Sequence, residues 1–125
     1  MTRPQGDGLT DGERYEQGMT VRREVLSNEH VDRATASVTE LTADFQDFIT
    51  RVAWGDVWSR PGLERRMRSV AVLTSLIAHG HHEELAMHLR AALRNGLTVI
   101  RNPREDTHEQ IKVIIKTPSG ASMLS

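Results

Sequence analysis

His81, Glu84 and His88 are the residues of this chain whose types and spacing best suit chemistry. They fall in a stretch, Gly80 to Gly96, that predicts one helix opened after Gly80 and closed by Asn95-Gly96. At i, i+3 and i+7 they share one helical face. Leu85, Leu89, Ala92 and Leu93 form an adjacent apolar stripe expected to face a core, with His88 at its edge. Glu83, Arg90 and Arg94 are expected to point to water. A carboxylate and an imidazole paired at the border of a packed face are suited to moving protons, because partial burial and mutual charge tune both groups. A histidine beside an apolar stripe is more often a packed, hydrogen-bonded core residue, so the spacing alone leaves both readings open.

The same residues invite a metal reading, with His81, Glu84 and His88 as a three-ligand set for zinc beside His79 and His82. The His-Glu-x-x-His pattern is absent, because position 86 is Ala, and no metal is the expectation. Arginines outnumber lysines 14 to two. Arg22-Arg23, Arg60, Arg65-Arg66, Arg90 and Arg94 read as solvated helix surface. Arg68 enters the apolar segment just ahead of Ser69 and is the candidate to bind a carboxylate. Trp54 and Trp58 read as packing or interface anchors that could also wall a small pocket. Gly-rich phosphate loops, G-K-[ST] and G-x-S-x-G elements are all absent.

These side chains need a scaffold, and 125 residues suit one domain with a modest core. A net charge of −1 from 16 basic and 17 acidic residues argues against nucleic acid as a partner. Met1 to Thr20 is polar and Gly-rich, unlike a signal peptide, and Val70 to Ala78 is too short an apolar run to span a bilayer. The expectation is a cytoplasmic protein with no membrane partner. With no cysteine there is neither a disulfide nor a thiol nucleophile.

Residues 1–10 read as a flexible arm. Asp11 caps a helix to about Leu26, with Tyr15, Met19, the stem of Arg22 and Leu26 on one stripe widened by Val21 and Val25. Glu29 to Val38 reads as a connection. Thr39 caps a clearer helix with Leu41, Phe45, Phe48, Ile49 and Val52 on its apolar face. Trp54 to Leu63 reads as a loop. Ser69 to His79 is apolar almost all round, which predicts burial on several sides and hence a second subunit. Gly80 breaks it, so Arg68 to Asn95 forms a helical hairpin. Residues 99–125 form a divergent tail, with a polar loop at Asn102 to Asp106 and a β-branched run at Ile111 to Ile115.

Several segments, in order and at these spacings, resemble the carboxymuconolactone decarboxylase family of the alkylhydroperoxidase-D-like superfamily. They are Glu13 to Gly18, Val21 to Leu26, His30 to Ala34, Phe45 to Phe48, Trp54 to Leu63, Arg68-Ser69, and Glu84-Leu85-x-x-His88-x-x-x-Ala92-x-x-Asn95-Gly96-Leu97-Thr98. The likeness covers about residues 12 to 98. It implies an all-α antiparallel helical bundle over 11–98, with an atypical tail, assembled as a homo-oligomer built from trimers into a hexamer. Peroxidase relatives carry Cys-x-x-Cys-x-x-x-His where this chain has His81, Glu84 and His88, so the likeness implies the decarboxylase branch and not disulfide chemistry.

The implied reaction is cofactor-independent decarboxylation of 4-carboxymuconolactone to 3-oxoadipate enol-lactone in protocatechuate degradation. Loss of CO2 leaves a dienolate, which a histidine protonates. In that scheme His88 and Glu84 are catalytic, and Arg68, Trp58 and His81 bind the small-molecule lactone carboxylate substrate. Since Asn102-Pro103 and Arg104 to Glu109 depart from the family pattern, the alternative is a non-catalytic oligomeric helical protein that keeps the scaffold and has lost turnover with its tail.

Overall fold

The computed structural model describes residues 8–98, which are helical with no strand among them. The tail 99–125, its Ile111–Ile115 run and arm residues 1–7 lie outside the described residues. The chain divides into two compact units, residues 1–65 and 66–125.

The first unit begins with α1, Asp11–Leu26. Its cap is Thr10, one residue before the expected Asp11. Thr10 Oγ1 accepts from Glu13 N–H, while Thr10 N–H donates to Glu13 Oε2 at 2.8 Å, a reciprocal box that satisfies two orphan donors. Gly18, Val21, Arg22, Val25 and Leu26 face the interior. Tyr15 and Met19 are only half-buried, so the buried face is turned slightly from the expected stripe. Arg22 is buried entire, at 7% exposure, where only its stem was expected to pack.

Ser27 then turns the chain with φ of 98°, outside the usual range for a non-glycine residue, and its Oγ accepts from His30 N–H at 3.2 Å. The helix therefore restarts at once as α2, Asn28–Ala36, where a connection was expected. Its one buried side chain, Val31, gives too little apolar period to read, and Arg23 braces it through Asp32 at 2.8 Å.

α3, Glu40–Ile49, starts at Thr39 as expected. Its apolar stripe is open, however, with Leu41 91%, Phe45 61% and Phe48 52% exposed. The expected loop at Trp54 is in fact helical at its start. From Thr50 to Val57 the chain winds as a wide π helix, closed by Trp58 N–H on Ala53 O at 2.9 Å. Thr50 provides a local cause, since its hydroxyl donates to the Gln46 carbonyl at 2.8 Å and so competes with the main-chain ladder.

α1 meets this π segment backbone to backbone. A Cβ on Gly18 would lie 2.0 Å from Thr50 O, and one on Gly55 would lie 2.2 Å from Arg14 O. Each glycine is thus the hole into which the other helix fits. Gln17 Nε2 donates to Gly55 O at 3.1 Å across the same seam.

The second unit holds α4, Arg65–His79, from its second residue on, and α5, His82–Arg94. Both end in the same way. Gly80 (φ 71°) and Gly96 (φ 96°) take the left-handed conformation, His81 N–H closes on Leu76 O at 3.0 Å, and Leu97 N–H closes on Ala92 O at 2.9 Å. The hairpin is antiparallel, as expected, and Asn95 Nδ2 donates to Ser69 Oγ at 3.1 Å at its open end. α4 is not covered all round. Ser69 and Leu76 are buried, whereas Met67, Val70 and Ile77 are 46%, 37% and 56% exposed. Among the described residues no helix is long and apolar enough to cross a membrane.

Gly18→Ala should destabilise the fold by about 3 kcal/mol, because backbone atoms cannot yield as a side chain can. Gly12→Ala, whose Cβ meets nothing within 4 Å, should be neutral or stabilising by up to about 1 kcal/mol. Urea denaturation of both variants measures the contrast. The exposed Glu13 carboxylate is held below its ordinary pKa, first by the Thr10 N–H and then by the Thr10 hydroxyl. The box is therefore intact above the ordinary carboxylate pKa and is lost as pH falls through the lowered value. Glu13→Gln should flatten that acid limb of the helical circular dichroism signal.

Candidate functional site

His88 sits midway along α5, in line with Leu85 and Ala92 at i, i+3 and i+7. Those two neighbours are 3% and 2% exposed, while His88 itself is half-buried. The imidazole therefore emerges at the edge of a covered face. Glu84, one turn earlier, is exposed. Ala91 is buried at 2% where no burial was expected, and Leu93 is 53% exposed, which removes it from the expected stripe. The buried line is centred on 85, 88 and 92, one step round from the expected position.

His81 is exposed at the start of α5, where it occupies the cap position. Its ring stacks on His79 with centroids 6.1 Å apart and planes 19° apart. Arg68 is half-buried in the first turns of α4 and already has an interaction partner. The hairpin register separates Arg68 from His81. Ser69 is tied to Asn95 at the open end and Leu76 to His81 at the turn. With 1.5 Å rise per residue, His81 lies about 20 Å along α5 from the Asn95 end that holds Arg68. Within one hairpin the two side chains therefore start from opposite ends of α5. Among the described residues no group of three His, Cys, Asp or Glu is placed to hold a metal.

In the first unit, Trp58 is half-buried just after the π segment, and its ring lies 5.2 Å from that of buried Trp54 at a 34° tilt. Asp56 binds the Arg60 guanidinium through two bonds of 2.9 and 3.1 Å. A shallow cleft of about 390 Å3 is lined by Asp11, Gly12, Tyr15, Glu16, Asp47 and Arg51. Its one arginine is already paired, to Asp47 at 2.7 Å and Asp11 at 3.7 Å, and the Asp47 bond holds its pKa above the ordinary value. Three carboxylates against one neutralised cation make this cleft hostile to an anionic lactone.

The feature that spacing missed is Arg22. Nη1 donates to Thr50 Oγ1 at 3.3 Å and Nη2 to Gln46 Oε1 at 3.2 Å, while Nε has no partner. Burial pushes its pKa down, against an upward pull from Tyr15 and with a smaller downward push from Arg23. The register of α1 held the signal, because positions 18, 22 and 25 follow i, i+4 and i+7 and place Arg22 on the core side.

Residues 43–101 match the model of the carboxymuconolactone decarboxylase family. The chain is 50% identical over 90 residues to the 4-carboxymuconolactone decarboxylase of Acinetobacter baylyi, covering 72% of this chain and 67% of that protein. It is 42% identical over 84 residues to the nitrosuccinic acid decarboxylase of Metarhizium robertsii, covering 67% of this chain and 59% of that one. A 4-carboxymuconolactone decarboxylase sequence from Pseudomonas putida matches over its whole length, 48 residues at 44% identity. No solved structure matches.

The Ser69–Asn95 tie sets the hairpin register on which His88 depends, and Ser69 is only 2% exposed. Asn95→Ala should cost about 1–2 kcal/mol, because it removes the partner of a buried hydroxyl. Thermal unfolding measures the loss, with the exposed Arg90→Ala as a surface control.

Proposed function

This chain belongs to the carboxymuconolactone decarboxylase family, and we propose that it decarboxylates 4-carboxymuconolactone to the enol-lactone of 3-oxoadipate. The observation that carries this reading is His88, half-buried between the covered Leu85 and Ala92 with Glu84 one turn away. The chain spans 67% and 59% of the first two relatives, and both are named as decarboxylases.

The substrate is its own electron sink. Its leaving carboxylate sits on a ring carbon conjugated through C=C to the lactone carbonyl. The C–CO2 bond breaks, its electron pair passes into the ring, and charge collects on the lactone oxygen. The imidazolium of His88 then gives its proton to the carbon next to the carbonyl, and the neutral imidazole regains one from water. Glu84 stabilises the charged imidazole and orients it. The half-buried position suits this step, since a proton donor needs both contact with substrate and return access to solvent. Nitrosuccinic acid also carries two carboxyl groups, and losing one beside its nitro group likewise leaves a delocalised anion.

We further infer that the chain works as a homo-oligomer, a trimer-based hexamer. The support is the apolar surface left open on each unit: Leu41, Phe45 and Phe48 on α3, and Met67, Val70 and Ile77 on α4. Light scattering at micromolar concentration tests this, and a stable monomer would refute it.

His88→Ala should lower kcat by about 10²–10⁴-fold with the fold and association state kept. Glu84→Gln should cost less, because an amide still orients the ring but does not stabilise its charge. Loss of the lactone's ultraviolet absorbance gives both rates. Turnover near that of the unaltered chain in His88→Ala would move the proton donor elsewhere.

A further inference from the structure

Among the described residues Arg22 is the only charged side chain that is buried. Its two acceptors, the Thr50 hydroxyl and the Gln46 amide oxygen, are both neutral, and among the described residues it has no carboxylate partner. A guanidinium has five N–H donors, and only two are used here. A buried cation is costly unless an anion answers it, and proteins rarely bury an arginine unpaired. A single planar cation with an unpartnered Nε matches one group best, a carboxylate accepting from two parallel N–H bonds.

We propose that Arg22 is a carboxylate-binding site, and that Gln46 Oε1 holds the place of the incoming carboxylate oxygen in the empty protein. Gln46 is half-buried, so its amide can swing outward as the ligand arrives. The ligand then exchanges a neutral bond of 3.2 Å for shorter, charge-assisted ones. Thr50 keeps the guanidinium aimed. Its hydroxyl is fixed by donating to Gln46 O at 2.8 Å while it accepts from Nη1. The occupant is a small-molecule carboxylate of the kind the proposed reaction consumes and releases. That identification rests on the decarboxylase reading, whereas the existence of the site does not.

Two variants separate binding from folding. Gln46→Glu supplies a built-in counter-ion, so the fold is kept while the site is filled from within. Arg22→Met removes a buried unpaired charge, so the protein should melt at a higher temperature than the unaltered chain even as it loses the ligand. The probe is the butenolide acetate that has the ring and acetate arm of the lactone but lacks the leaving carboxylate. Calorimetric titration into the full-length protein should show binding that weakens about 10–100-fold in both variants. Unchanged affinity in Gln46→Glu overturns the site. So does an Arg22→Met chain that melts lower and binds equally well, because Arg22 is then a structural brace. Light scattering on the same samples distinguishes the source of the carboxylate. If both variants change the association state and the unaltered chain ignores the probe, the carboxylate belongs to a second copy of the chain and the small-molecule site is refuted. Arg22-dependent binding in a protein that leaves 4-carboxymuconolactone untouched supports the site and removes the decarboxylase reading alone.

Discussion

The contact on which the first unit depends is a mutual absence of side chains. Gly18 and Gly55 let α1 and the π segment touch along their backbones, and a methyl group on either would collide with a carbonyl oxygen that has nowhere to go. Main chain against main chain allows little sliding. One seam therefore sets the register of Val21, Arg22 and Val25 against Gln46 and Thr50, and it leaves Trp54 covered at 7% exposure. The buried guanidinium follows from that register, since a helix crossing this close covers its core-facing positions and leaves half-buried Gln46 beside Arg22.

The second unit is ordered by a different device. Two helices of similar length stop on left-handed glycines, and the same pair of closing bonds recurs at Gly80 and Gly96. These are sequence-local signals, which is why the hairpin that carries His88 needs few distant contacts to take shape. The polar tie from Asn95 to Ser69 then makes one register better than its neighbours.

Legibility in the sequence follows the same division. Asp11 to Leu26, the start at Thr39 and the turn at Gly80 were readable because capping residues and a 3.6-residue period mark them. α2 was not, because one buried valine makes no period and Ser27 closes one helix and opens the next with a single residue. The π segment was also hidden. Its wider turns break the i, i+4 spacing, and two tryptophans beside Gly55, ahead of Arg-Pro-Gly, resemble a loop. At the site, the half-burial of His88 followed from its place beside Leu85 and Ala92. The burial of Arg22 ran against residue type, and only the backbone seam at Gly18 forces it.

The π segment from Thr50 to Val57 has a consequence for how the gene can change. A wide turn stores more residues per revolution than an α-helix does, so its length is bound to the direction in which the chain leaves it. Each residue of an α-helix turns the chain by about 100°. Loss of one codon here would let ordinary winding resume, and the tighter turns would make up most of the rotation that the lost residue supplied. The harm of such a deletion would fall instead on the seam, because it would draw Gly55 out of step with Arg14 and set a side chain against the α1 backbone.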